Sequence, residues 1–69
     1  MVFKEKVFYD TRNYNVGDHW RFNHQTNTRI ALEMDCESFE ENMQSLCAEG
    51  YFEPFKDGSV IHYIIKKKP

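Results

Sequence analysis

Three histidines and two cysteines offer the most chemistry in this chain. His19, His24, His62, Cys36 and Cys47 are numerous enough to hold a zinc ion. Zinc sites, however, are built from compact chelating pairs such as C-x-x-C, and no such spacing occurs here. His19 and His24 also fall on opposite faces if their segment is a strand, and Cys47 sits on an apolar helical stripe, where a thiol behaves as a small core residue. Nucleophilic catalysis has no better footing. The chain lacks a G-x-S-x-G elbow, and three glycines are too few for a phosphate-cradling loop. Cys36 precedes a helix start, where the dipole favours a thiolate, but no base is readable beside it. Glu37, Glu40 and Glu41 read as solvation of that same helix start. The expectation is a protein that is not an enzyme, with no catalytic residue, no metal ligand and no cofactor.

Two surfaces remain as binding candidates. His19, Arg21, Asn23 and Arg29 would share the polar face of a hairpin, the kind of face on which single-stranded nucleic acid is held by cations and stacking rings. Glu33 would stand opposite His19, and nine Lys and Arg against eleven Asp and Glu give a formal charge of −2, which does not suit a general polyanion binder. The second surface is apolar. Phe52, Val60, His62 and Ile64 would form the outer face of a second hairpin, a larger patch than scattered surface hydrophobics and one that points to contact with another protein or a second copy of the chain.

The elements that position these residues can be read in order. Residues 2–9 (Val-Phe-Lys-Glu-Lys-Val-Phe-Tyr) read as a first strand, with Phe3, Val7 and Tyr9 on one side and Val2 and Phe8 on the other. Asp10 to Asp18 is rich in turn formers and reads as a loop. His19–His24 and Thr28–Met34 alternate, and a Gln25-Thr26-Asn27 loop would pair Phe22 with Ile30 and Trp20 with Leu32. The spacing next predicts a helix from Ser38, with Ser38 and Glu41 as a capping box and Phe39, Met43, Leu46 and Cys47 as its buried stripe. Gly50 ends the helix in a left-handed conformation.

For the last hairpin, Pro54 decides the register, because proline has no N–H to give a ladder bond. A Gly58 bulge pairs Pro54 with Val60 at a non-hydrogen-bonded position, whereas an Asp57-Gly58 turn would waste a bond. Tyr51, Phe55, Ile61, Tyr63 and Ile65 then face inward. The expected core is Trp20, Phe22, Ile30, Leu32, Phe39, Met43, Leu46, Tyr51, Phe55, Ile61 and Tyr63.

Sixty-nine residues bound the chain to a single small domain, residues 1–69. Eleven aromatics (six Phe, four Tyr, one Trp) supply the large side chains that so small a core needs. No apolar run approaches the roughly 18 residues that span a bilayer, and Met1 to Lys6 lacks the apolar core of a signal peptide. A cytoplasmic setting without a membrane partner, and with both thiols reduced, follows as the expectation. The segment Leu46-Cys47-Ala48-Glu49-Gly50-Tyr51, with the basic strand end Ile65-Lys66-Lys67-Lys68, resembles small bacterial and phage α+β domains of uncharacterised function. The likeness covers about residues 39–66. It implies a stand-alone α+β unit of phage or mobile-element origin, acting in the host cytoplasm, and carries over no functional residue.

These readings combine into an α+β fold. An antiparallel sheet of four to five strands, in the order β-β-β-α-β-β, would carry one helix packed on one face. The expected function is a non-enzymatic protein-binding module, such as a small inhibitor or adaptor of a larger host protein. Single-stranded nucleic-acid binding through His19, Arg21 and Arg29 is the alternative.

Overall fold

The computed structural model describes residues 2–69 and has an α+β fold. Among the described residues there are three helices and three strands: α1 (Val2–Asp10), β1 (His19–Trp20), α2 (Phe22–Ala31), α3 (Cys36–Ala48), β2 (Phe52–Asp57) and β3 (Val60–Ile65). The sheet is antiparallel with β3 in the middle, in the order β1-β3-β2. No helix in this part of the chain is long and apolar enough to cross a membrane.

The single helix and the four to five strands expected from the sequence are corrected at two places. Residues 2–9 form α1 rather than a strand. Phe3, Val7 and Thr11 are buried at i, i+4 and i+8, which is a helical stripe, and Lys6 and Asp10 form an i, i+4 ion pair at 3.0 Å. The strand reading left apolar groups on both faces of this segment; on the helix Phe3 and Val7 turn inward while Val2 and Tyr9 stay exposed.

The second correction concerns the middle of the chain. Only His19 and Trp20 are strand, and α2 replaces the predicted hairpin. Phe22 and Ile30, expected in the core, are exposed, while Gln25 and Thr28 are buried. The Gln25 amide donates to the carbonyls of Trp20 (2.8 Å) and Ile61 (3.1 Å), standing in for the strand that β1 is too short to provide. The Thr28 hydroxyl donates to the Asp10 carboxylate on α1. Hydrogen bonds therefore set the inward side of α2, and an apolar pattern does not reveal it.

Helix α3 largely follows expectation. Phe39, Met43 and Leu46 are buried, and Cys47 is half-buried with its thiol pKa pushed up by burial. Its start differs: Asp35 is the N-cap, and its Oδ1 accepts from the Ser38 backbone N–H at 2.8 Å. That bond, to a group at the positive end of the helix, holds the Asp35 carboxyl below its usual range. Ser38 thus takes the inner position of the cap. Gly50 has φ +87, and the amides of Gly50 and Tyr51 reach back to the carbonyls of Cys47 and Leu46. This is the Schellman closure that the glycine led us to expect.

The core joins Phe3 and Val7 of α1 and the α3 stripe to Trp20, Phe52, Tyr63 and Ile65 of the sheet. Those four strand residues lie on one face, because side chains alternate along a strand. Rings from every layer meet there, as in Phe3–Phe39 at 5.6 Å, Trp20–Phe39 at 6.0 Å and Trp20–Phe52 at 6.1 Å.

Candidate functional site

The β2–β3 turn decides which side chains reach the opposite face of the sheet. Asp57 pairs with Val60, so Gly58 and Ser59 form a two-residue loop. Gly58 has φ +67, as the first central residue of a type II′ turn requires. The pair flanking such a loop is hydrogen-bonded and the pairs then alternate. Pro54 therefore meets Tyr63, instead of Val60, at a non-hydrogen-bonded position. The proline rule was sound and its partner was wrong. A Gly-Ser pair read as the loop would have given the register from sequence.

That shift exchanges two phenylalanines. Phe52, expected on the partner-binding face, is 3% exposed in the core, where its ring stacks on Phe8 with centroids 6.1 Å apart. Phe55, expected in the core, is 46% exposed on the outer face. The other three candidates, Val60, His62 and Ile64, do lie on the outer face, together with His19, which pairs with Ile64.

At its centre is a ring cluster. His19 and Phe55 meet edge-on at 5.6 Å, and His62 lies 6.5 Å from each. No helix contributes a ring to this trio. His62 is 6% exposed; its Nε2 is 3.8 Å from Asp57 Oδ2, and its Nδ1 is buried with no hydrogen-bond partner. Such an unsatisfied atom is a cost that the fold carries at this position. Val60 and Ile64 are half-buried beside the rings. Charges sit at the margin: Asp57 next to the turn, and a Glu53–Lys66 ion pair at 3.2 Å toward the other end.

The four residues of the nucleic-acid alternative are not brought onto one strand face. His19 is on the sheet, and Arg21 is the exposed N-cap of α2. Asn23 is exposed in the first turn of that helix, while Arg29 is in its last turn with Nη1 donating to the Met34 carbonyl at 3.1 Å. His19 and Arg21 do line a shallow cleft of about 350 Å³ with Tyr14, Asp18 and His24. The Tyr14 hydroxyl lies 3.2 Å from His24 Nδ1, a pairing that no periodicity in the sequence signals.

Cys36 is exposed at the first turn of α3, and Cys47 is half-buried; both are free thiols. Among the described residues, no three His, Cys, Asp or Glu side chains gather in a way that could hold a metal ion. Comparisons with protein-family models, with curated proteins and with solved structures found no match.

Proposed function

We propose that this chain is a non-enzymatic protein-binding module, an inhibitor or adaptor, that docks a larger protein on the outer face of its sheet. One observation carries the reading. The helical layer builds its core on one sheet face only, and the other face presents the exposed Phe55 amid half-buried His19, Val60 and Ile64, around the buried His62, with no helix ring upon them. An apolar, aromatic centre with a charged margin of Asp57, Glu53 and Lys66 has the anatomy of a protein interface.

The sheet edge is a poorer docking surface than the face. On β2, Phe52, Pro54 and Lys56 occupy non-hydrogen-bonded positions, so their backbone groups point to the open edge. Pro54 removes the middle donor, and Lys56 adds a charge, both of which resist an added strand. In a phage or mobile element, a module of this kind would act on a host protein.

The test compares affinity capture from the native host by the wild-type chain, Phe55→Asp and Phe22→Asp. Phe22 is also an exposed aromatic, but it lies on α2. A defined protein retained by wild type and Phe22→Asp, and lost with Phe55→Asp, is the expected result. Equal retention by all three, with circular dichroism unchanged, would sink the proposal. Sedimentation across a concentration series separates the homodimer version: a dimer abolished by Phe55→Asp would make the partner a second copy.

The nucleic-acid reading keeps one supporting feature, the Tyr14–His19–Arg21–His24 cleft, with Asp18 in the same cleft working against it. It requires affinity for single strands that falls steeply with salt and with Arg21→Ala.

A further inference from the structure

Away from the outer sheet face, a second cavity lies between the C-terminal end of α1 and the residues that follow β3. It measures about 200 Å³. Phe8, Phe52 and Ile65 line its apolar side, Arg12, Lys67 and Lys68 bring three cations to it, and Thr11 and Pro69 complete the lining. Phe52 and Ile65 are core residues at 3% and 2% exposure, so this floor is set by the same packing that holds the fold together.

The charge here runs against the rest of the molecule. The chain as a whole carries a formal −2, yet among the described residues none of these three cations has a carboxylate within ion-pair distance. Neighbouring carboxylates are already engaged: Glu49 by Lys4, Asp10 by Lys6 and Glu53 by Lys66. The three cations are held by softer contacts. Arg12 lies 3.9 Å from the centroid of the Tyr9 ring and donates from Nη1 to the Tyr9 carbonyl, Lys68 donates to the Arg12 carbonyl, and Lys67 sits 4.8 Å over the Tyr51 ring. Arg12 thereby caps the carbonyl end of α1, an ordinary role for a basic residue, and Lys68 holds the turn that follows it. Each still has donors to spare, since a guanidinium carries five N–H groups and an ammonium three.

We infer that this cavity binds a small free carboxylate carrying one aromatic ring or a short acyl chain. The apolar floor takes the ring, and the cations take the carboxylate. A cavity of about 150 Å³ is known to accept benzene, so the space suits one ring rather than a polypeptide segment. The three cations supply the attraction for an anion, and the nearby helix end bears only on its charge. The negative end of the α1 dipole lies at Asp10, just before Thr11 and Arg12, and it penalises a phosphate dianion more than a carboxylate monoanion.

The experiment is an amide NMR titration of the 69-residue chain with benzoate, phenyl phosphate, benzyl alcohol and inorganic phosphate. Benzoate is expected to give saturable shifts confined to Phe8, Thr11, Arg12, Ile65, Lys67 and Lys68. Benzyl alcohol and inorganic phosphate, each lacking one half of the ligand, should bind at least about tenfold more weakly. The Lys67→Ala/Lys68→Ala double variant should lose about tenfold or more in benzoate affinity through two missing charge-assisted bonds, whereas Lys56→Ala at the far end of β2 should lose nothing. Benzyl alcohol binding as well as benzoate, no saturable shift with benzoate, or an unchanged affinity in the double variant overturns the inference. Phenyl phosphate binding well above benzoate overturns the choice of carboxylate.

Discussion

Helices α2 and α3 are of similar length, yet they are held by opposite means. Helix α3 buries Phe39, Met43 and Leu46 as a stripe, begins on an Asp35 cap and ends on Gly50. Helix α2 exposes Phe22 and Ile30, begins on Arg21 with no side-chain cap, and turns Gln25 and Thr28 inward to hydrogen bonds on three other elements. One is fastened by a non-directional force spread over area, the other by a few directional bonds. The two should therefore break differently. A core truncation in α3 should remove stability from the whole domain, and loss of a polar anchor should loosen α2 against the sheet.

The largest effect is expected at Met43, which is fully buried. Met43→Ala removes its packing and leaves a cavity, at a cost of about 2–5 kcal/mol. Against the few kcal/mol typical of a single core this small, that is most of the stability. Urea unfolding should show a midpoint far below wild type, with all amides losing exchange protection together. A loss below about 1 kcal/mol would mean that the α3 stripe is not the main fastening.

Gln25→Leu tests the other fastening at nearly constant volume. On hydrophobicity alone it should be neutral or stabilising, because it converts a buried polar side chain to an apolar one. The Trp20 and Ile61 carbonyls would lose their donor, however, and the expected outcome is a loss of about 1–3 kcal/mol. Amide exchange should rise first along α2 and at β1, before α3 responds. A variant as stable as wild type would show that apolar contact, not the amide, holds α2 in place.

The same contrast explains what could be read from the sequence. Apolar spacing and glycine placement carried the α3 stripe, the closure at Gly50, the final hairpin and the inward side of β3 at Ile61, Tyr63 and Ile65. The alternation around Phe22 and Ile30 misled, because those residues are exposed on a helix whose inward contacts are polar, and a Gln or Thr that bonds a distant carbonyl leaves no periodic trace. At α1, a short segment with apolar residues at 2, 3, 7, 8 and 9 satisfies both periods poorly, and packing against Phe39 and Phe52 settles it as a helix. The candidate face was legible on β3 and not on β2: Val60, His62 and Ile64 are where the alternation puts them, whereas one turn assignment sent Phe52 inside and Phe55 out.

The smallest effects come from a feature the two helices share. Both close with the Schellman pattern: at α3 through Gly50 and Tyr51, and at α2 through Glu33 and Met34, whose amides reach the carbonyls of Ile30 and Arg29. The left-handed position is filled by Gly50 (φ +87) in one case and by Glu33 (φ +56) in the other. A side chain at Gly50 would meet only Lys67 at an ordinary 3.7 Å, so the penalty for Gly50→Ala is conformational, about 1–2 kcal/mol. Glu33→Gly runs the same step backwards. It relieves the left-handed strain while adding chain entropy to the unfolded state, for a net gain of up to about 1 kcal/mol. Thermal unfolding of the two variants should move Tm in opposite directions, with the larger shift at Gly50. If Glu33→Gly instead lowered Tm, the Glu33 side chain would have to contribute more to the α2 terminus than its backbone strain costs.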